Sequence, residues 1–399
     1  MTRTIPHRLG LYLAVVQFFF ALTWTVYVIY LPKLAAQVGI SGKQVLLILI
    51  LDQLIFTIMD FSMGVMADRV ARVVGRLSYV ILGVTLASCL AFLLLPFVAP
   101  QGSAVLFLAL TILWTASSSV LRAPPLALLG KHAARPAVPW LSALTLFGLG
   151  VAAAVSPYLT VALREADPRL PFVLSTIALA AATLGIVWME RALADTSVAP
   201  APAASAGPPK PIQPIFGFLF AVVLLGLGFQ VHFALNSAPL YLRHAPASDL
   251  AYLMPVFWVG FNLLLLPASF ATRRWGGLAV MGLGGITGAI ATLLALKAGN
   301  LALLVALQFI AGGAWGCVLM SAVAAALAIG HTGREGKITG AVFALLALAT
   351  MARIAVVATG VGKDPSFVAI LGWTPTALWL LAGSLLLLIL PAQRKLIVP

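Results

Sequence analysis

Charged residues are scarce in this sequence, in which Lys, Arg, Asp and Glu make up only 9% of the 399 residues. A soluble globular domain typically carries about 25% charged residues, because its surface must face water. The hydrophobic fraction of 62% and the mean hydropathy of +1.10 also exclude intrinsic disorder. The apolar runs are long and unbroken, unlike the alternating segments of outer-membrane barrels. The sequence therefore predicts helices that cross a lipid bilayer.

Acidic residues and cysteines are also few. Only 10 acids accompany 24 Lys and Arg, which gives a net charge of +14. The basic residues are scattered in small groups between apolar runs, so we expect no nucleic-acid partner.

Cys89 and Cys317 both lie inside apolar runs and are interpreted as packing residues rather than as a disulfide or metal pair. No metal and no cofactor is expected, and the first apolar run is too long for a cleavable signal peptide.

Charged and Pro- or Gly-rich breaks divide the chain into twelve candidate spans of membrane length. Residues 194–214 contain six prolines among Ala and Ser, which predicts an extended linker. The linker would separate an N-terminal six-helix bundle, residues 1–193, from a C-terminal one, residues 215–399. The predicted spans are 9–31, 44–66, 77–98, 103–128, 138–162, 170–190, 215–241, 249–271, 277–297, 300–329, 337–361 and 368–390.

The distribution of Lys and Arg between the loops predicts the orientation. These residues are more frequent in the loops that lie on the same side as both termini, which predicts that both termini and the linker are cytoplasmic. The Ala- and Arg-rich composition is loosely associated with GC-rich bacteria. We therefore expect a monomeric multi-pass protein of the bacterial inner, or cytoplasmic, membrane.

The loop after the second span carries a recognisable motif. Residues 64–72 read Gly-Val-Met-Ala-Asp-Arg-Val-Ala-Arg. They resemble the signature Gly-x-Leu-Ala-Asp-Arg-x-Gly-Arg-Lys of the major facilitator superfamily, with matches at Gly64, Ala67, Asp68, Arg69 and Arg72. The resemblance implies an all-α membrane protein of twelve transmembrane helices in two six-helix bundles. In that family the motif latches the cytoplasmic side of the outward-facing state, so Gly64, Asp68, Arg69 and Arg72 become gating candidates.

Two further segments support the resemblance. An altered copy of the motif begins at Ser269, with Arg273 in the position of the acid, and residues 333–340 resemble the entry to the eleventh helix. Residues 148–157 resemble a degraded antiporter signature, with Ser156 before Pro157. The alternative interpretation of that segment is a kinked helix with small packing residues.

Ionisable residues are few inside the spans, where each is costly unless it faces a partner or a wet cavity. Asp52, Asp60, His232 and Arg353 are therefore candidates for proton coupling. Asp60 lies close to the end of its span and could instead belong to the latch around Asp68. His232 could equally be a hydrogen-bonded packing residue.

The resemblance also implies that the first, fourth, seventh and tenth helices line a central cavity. Aromatic walls with few hydrogen-bonding groups suit a small amphipathic organic molecule. The alternative is that Trp and Tyr anchor the helices at the membrane surface. The candidate cavity residues are Gln17, Trp24, Tyr27, Trp114, Ser118, Arg122, Asn236, Gln308 and Trp315.

These features predict a secondary active, proton-coupled transporter of a small organic solute, and the antiporter-like segment favours efflux. Arg122 and Arg353 would also suit proton-coupled uptake of an anionic metabolite. A sensor or assembly factor with a transporter fold and a membrane-embedded enzyme are the alternatives from other classes. We expect no enzymatic activity, because the loops are short and poor in acids. A nucleotide-driven pump is disfavoured because no phosphate-binding loop occurs.

Asp52 and Arg353 are expected at a similar depth, about 12 Å from the outer ends of their helices at about 1.5 Å per residue. We hypothesise that they form an ion pair that closes the outer half of the inward-facing state. The alternative is a permanent pair that only fixes the packing of the two bundles.

Overall fold

The computed structural model describes residues 7–73, 77–132, 137–196, 213–330 and 333–397. Throughout these ranges the regular structure is helical, with no strand. Twelve helices in this part of the chain are long and apolar enough to cross a membrane, and each overlaps one predicted span. They are α1 (His7–Gln37), α2 (Gly42–Val70), α3 (Leu77–Gln101), α4 (Ala104–Gly130), α5 (Val138–Leu163), α6 (Arg169–Arg191), α7 (Ile215–Tyr241), α8 (Ala247–Trp275), α9 (Gly277–Leu296), α10 (Leu301–Gly330), α11 (Glu335–Thr359) and α12 (Pro365–Leu390).

The helices pack mainly within their own half of the chain. In the first half α1 packs against α5 and α6, and α3 packs against α4 and α6; in the second half α12 packs against α7 and α9, and α10 packs against α8 and α9. The two halves meet where α2 lies along α11 and where α5 lies along α8. Most of the predicted linker, residues 197–212, lies outside the described residues, so the linker stays a prediction.

Among the helices that carry candidate site residues, α4 and α7 depart from regular α-helical geometry. In α4 the regular helix ends at Ser118, a 3₁₀ turn covers Ser119–Leu121, and helix resumes at Pro124. In α7 a π-helical turn covers Gln230–Asn236, just before Pro239, which lacks an N–H to donate to the preceding turn. Such irregular turns change the direction of the side chains that follow them.

Several helices at the boundary between the two halves are buried less towards one end of the molecule than towards the other. We call the end that carries Asp68 the Asp68 end, and the end that carries the α3–α4 turn the Gly102 end. In α10 residues 318–327, towards the Asp68 end, are all buried, whereas in α5 none of residues 153–163, towards the Gly102 end, is buried. In α11 none of residues 355–360 is buried either. The two halves are therefore closed against each other at the Asp68 end and more open at the Gly102 end.

The C-terminal half is built around a fully buried tryptophan. The ring of Trp379 stacks 6.2 Å from the ring of Trp315, and its Nε1 donates to the Leu225 carbonyl at 2.9 Å. Gly288 allows this packing, since a Cβ atom on that residue would lie 1.8 Å from two ring carbons of Trp379.

We therefore expect Gly288→Ala to destabilise the protein by about 1–3 kcal/mol, the usual cost of overpacking a core. The measurement is the thermal unfolding midpoint of the detergent-purified full chain. Gly83→Ala is the matched control, because Gly83 is also helical but a Cβ there would meet nothing within 4 Å. The packing would be contradicted if Gly288→Ala lowered the unfolding midpoint no more than Gly83→Ala does.

Candidate functional site

Asp68 makes a polar contact between the two halves through both of its carboxylate oxygens. Its Oδ1 accepts the N–H of Gly336 at 2.7 Å, and its Oδ2 accepts the N–H of Lys337 at 2.8 Å. These N–H groups belong to the first turn of α11, where backbone donors have no partner within the helix and the helix dipole favours a negative charge. The carboxylate thus caps a helix of the opposite half from a buried position.

Two glycines allow this contact by bringing the backbones of α2 and α11 together. A Cβ on Gly64 would lie 2.1 Å from the Gly336 oxygen, and a Cβ on Gly336 would lie 2.3 Å from the Gly64 oxygen. Of the other motif residues, Arg69 is exposed, and the side chain of Arg72 lies outside the described residues. We call the contact of Gly64 and Asp68 with Gly336 and Lys337 the latch.

Asp60 lies one turn along α2 from Gly64, and its carboxylate pairs with Arg122 of the same half. Arg122 Nη1 lies 2.9 Å from Asp60 Oδ2, and Asp60 is fully buried. The guanidinium lies 4.8 Å from the ring centroid of Phe56 and 5.3 Å from that of Phe343, which belongs to α11. Arg122 therefore joins a buried carboxylate of one half to an aromatic face of the other.

The break in α4 positions this arginine. Gln17 Nε2 donates to the carbonyl of Leu121 at 2.6 Å, a carbonyl at the end of the 3₁₀ turn. Ser118 donates to the carbonyl of Thr115. Both side chains were predicted to line the cavity, and both are buried in contacts that support the break.

A second buried carboxylate, Asp52, is held by hydroxyl groups. Tyr27 OH donates to its Oδ2 and Thr115 Oγ1 donates to its Oδ1, each at 2.8 Å. The ring of Tyr27 lies 4.5 Å from that of Trp114, which stacks on Trp24 at 5.7 Å. The structure therefore gathers three predicted cavity aromatics around Asp52, in the Gly102 half of the N-terminal bundle.

No ion pair joins Asp52 and Arg353, although both side chains are described. The antiparallel register explains this. Gly64 faces Gly336 and the Asp60 backbone faces Gly340, so Arg353 lies level with residue 47, about 7 Å along the helix from Asp52 at about 1.5 Å per residue. The alternative of a permanent ion pair is therefore wrong. Counting from the helix ends placed Asp52 and Arg353 level with each other, whereas the register of α2 and α11 sets them apart along the helix axis. A pair formed only in the inward-facing state stays a prediction.

In the C-terminal half the predicted residues separate into two groups. His232 Nε2 lies 3.0 Å from Gln308 Oε1, and the ring of Trp315 stacks 4.3 Å from that of Phe229. Asn236, a predicted cavity residue one turn after His232, does not join that group and instead donates to the Leu371 carbonyl of α12 at 2.8 Å. The π turn causes this separation, because residues four apart no longer align in a turn closed by i→i+5 bonds.

Comparisons with known proteins identify the fold. No protein-family model and no curated protein sequence matches the chain. Among solved structures, the human organic anion transporter MFSD10 (TETRAN) is 15% identical with a TM-score of 0.73, covering 96% of this chain and 100% of that one. A bacterial homologue of the iron transporter ferroportin in the outward-facing state is 14% identical, with a TM-score of 0.71 and coverage of 95% and 98%.

A third match is the major facilitator superfamily transporter FucP in the outward conformation, 12% identical with a TM-score of 0.66, covering 96% of this chain and 99% of that one. The chain therefore has the major facilitator fold along nearly its whole length. The fold expected from residues 64–72 is confirmed.

Proposed function

We propose that this protein is a secondary active transporter that moves a small organic solute by alternating access. The observation that carries the proposal is the latch, a charged contact between two helix bundles that lies at only one end of the molecule. Bundles closed at the Asp68 end and looser at the Gly102 end are expected of one state of a rocking transporter. With both termini in the cytoplasm, as proposed from the loop charges, this state faces outward.

The solute site is proposed between the two bundles, near Arg122 and the Asp52 aromatic group. Trp24 and Arg122 are both partly exposed there, which offers a ring face and a cation to a bound molecule. The structurally similar proteins are transporters, which supports this function over an embedded enzyme or a sensor. The antiporter-like residues 148–157 favour proton-driven efflux.

A second candidate, uptake of an organic anion together with a proton, is favoured by the Asp60–Arg122 pair. Protonation of Asp60 would free the guanidinium, which could then bind the carboxylate or phosphate of a solute. Deprotonation would restore the pair and expel the anion. The similar structure of MFSD10 carries the name of an organic anion transporter, which is consistent with this candidate.

Transport by the purified full chain in proteoliposomes tests the proposal. We expect at least one member of a panel of organic anions, cations and sugars to move when a pH gradient is imposed, with protons moving alongside. A solute that enters together with protons would indicate symport, and a solute that moves in the direction opposite to the protons would indicate antiport. Asp60→Asn should lose the response to the gradient by about tenfold or more, because the variant can no longer exchange a proton at this position.

Glu165→Gln is the matched control, since the side chain of Glu165 is 95% exposed and lies in the loop between α5 and α6. It should transport like the unmodified protein. A panel in which no solute moves faster than in protein-free vesicles would contradict the proposed function. A gradient response that survives Asp60→Asn would remove Asp60 from the coupling step.

A further inference from the structure

A cleft of about 410 Å³ lies at the Gly102 end of the C-terminal half, away from the latch and from the Asp60–Arg122 pair. Its walls come from the ends of α7, α9 and α11 and from the start of α12. The lining is mostly apolar and includes Leu235, Leu240, Val356, Val368 and Leu371. Leu235 lies six residues before the end of α7, so the cleft reaches about 9 Å from the helix ends at about 1.5 Å per residue.

Apolar side chains at the edge of the cleft are exposed on the surface of the helix bundle. Among its lining residues Val357, Val368 and Trp373 are between 44% and 50% exposed. Large apolar side chains with this exposure on the outer face of a membrane helix contact acyl chains rather than water. Because α11 and α12 are long and apolar enough to cross a membrane, we expect acyl chains to reach the cleft where α7 and α11 end.

Basic side chains mark the mouth of the cleft. Arg243, which lines it, donates from Nη1 to the Leu296 carbonyl at 3.1 Å. Lys297 is the residue after Leu296, and its Nζ lies 5.8 Å from the ring centroid of Trp373. Both side chains are exposed. The nearby acid Asp364 accepts the N–H of Ser366 at 2.8 Å at the start of α12.

We propose that this cleft binds an anionic phospholipid of the leaflet at the Gly102 end. One acyl chain would lie in the apolar cleft, and the phosphate would lie between Arg243 and Lys297, at the depth where headgroups meet helix ends. The basic residues at the mouth match an anionic headgroup, and the apolar lining of the cleft matches an acyl chain. The proposal does not depend on transport.

Lipid binding to the detergent-purified full chain tests this, with native mass spectrometry and the thermal unfolding midpoint as readouts. The probes are phosphatidylglycerol, phosphatidylcholine and glycerol phosphate, the last being the headgroup without its chains. We expect phosphatidylglycerol to bind more tightly than phosphatidylcholine. Arg243→Gln with Lys297→Gln should weaken phosphatidylglycerol binding by about 25-fold, because each basic residue near the headgroup adds about fivefold.

The other half offers a matched control pair at the same end. Lys33 donates to the Ala166 carbonyl at 3.5 Å, and Arg169 lies 5.7 Å from the ring centroid of Phe97. Lys33→Gln with Arg169→Gln removes the same charge and should leave phosphatidylglycerol binding within about twofold of the original. Ala369→Trp fills the exposed side of the cleft and should weaken binding of both phospholipids.

Three outcomes would overturn the proposal. Equal affinity for the two phospholipids would remove the role of charge. An equal loss in the control pair would show a general effect of net charge rather than a site. Glycerol phosphate binding as tightly as phosphatidylglycerol would show that the mouth binds free anions and that the cleft holds no acyl chain.

Discussion

Gly64→Val should reduce transport by at least about tenfold while the protein still folds and reaches the membrane. A Cβ on Gly64 would lie 2.1 Å from the backbone oxygen of Gly336, and a backbone atom cannot move aside as the end of a side chain can. The valine therefore keeps α2 and α11 apart, so that Asp68 no longer reaches the first turn of α11. Each 1.4 kcal/mol lost from the closed state shifts the population about tenfold.

The measurement is solute flux in proteoliposomes, normalised to the amount of folded protein. Gly83→Val is the control, because a Cβ at Gly83 meets nothing within 4 Å, and it should transport normally. Asp68→Asn should give a milder loss, since it weakens two charge-assisted hydrogen bonds but leaves room for closure. Normal flux in Gly64→Val would show that closure at the latch is not part of the transport cycle.

Arg122→Ala should destabilise the folded protein by about 3–5 kcal/mol, the cost of leaving a buried charge without its partner. Asp60 is fully buried, and Arg122 Nη1 lies 2.9 Å from its carboxylate. Adding Asp60→Asn should recover part of the loss, because the double variant buries no isolated charge. The measurement is the free energy of unfolding of the detergent-purified chain, taken as a double-mutant cycle.

Arg164→Ala is the matched control for this cycle. Arg164 lies 3.9 Å from Glu165, but both side chains are more than 80% exposed, so its removal should cost less than about 1 kcal/mol. If the changes in unfolding free energy of Arg122→Ala and Asp60→Asn simply add in the double variant, the two residues are not coupled.

Hydropathy was sufficient to predict the twelve helices, because membrane length and apolar composition are properties of each segment alone. The latch contact of Asp68 with the start of α11 could be expected only through the resemblance of residues 64–72 to a known motif. Hydropathy does not determine which side of each helix faces which neighbour, because that depends on how the helices pack together. For that reason the Asp60–Arg122 pair was missed, although both residues had been singled out.

Irregular turns account for the other differences. The 3₁₀ turn in α4 fixes where Arg122 lies, and the π turn in α7 directs Asn236 towards α12 rather than towards His232. Pro124 and Pro239 follow these turns in the sequence, but a proline indicates only that the helix is disturbed and does not predict which irregular turn forms or where the next side chains point. The expected depth of Asp52 and Arg353 was counted from helix ends, whereas the true register is set by the close approach of Gly64 and Gly336.

The central claim is that the two bundles rock as units, closing at one end as they open at the other. Electron paramagnetic resonance distances between paired spin labels test it directly, with Cys89 and Cys317 replaced by alanine. One pair, at Arg191 and Arg274, reports on the Asp68 end, and the other, at Gln37 and Ser248, reports on the Gly102 end; all four side chains are exposed. When Gly64→Val is introduced, the distance at the Asp68 end should lengthen and the distance at the Gly102 end should shorten. Unchanged distances at the Gly102 end, or a lengthening at both ends, would contradict alternating access in this protein.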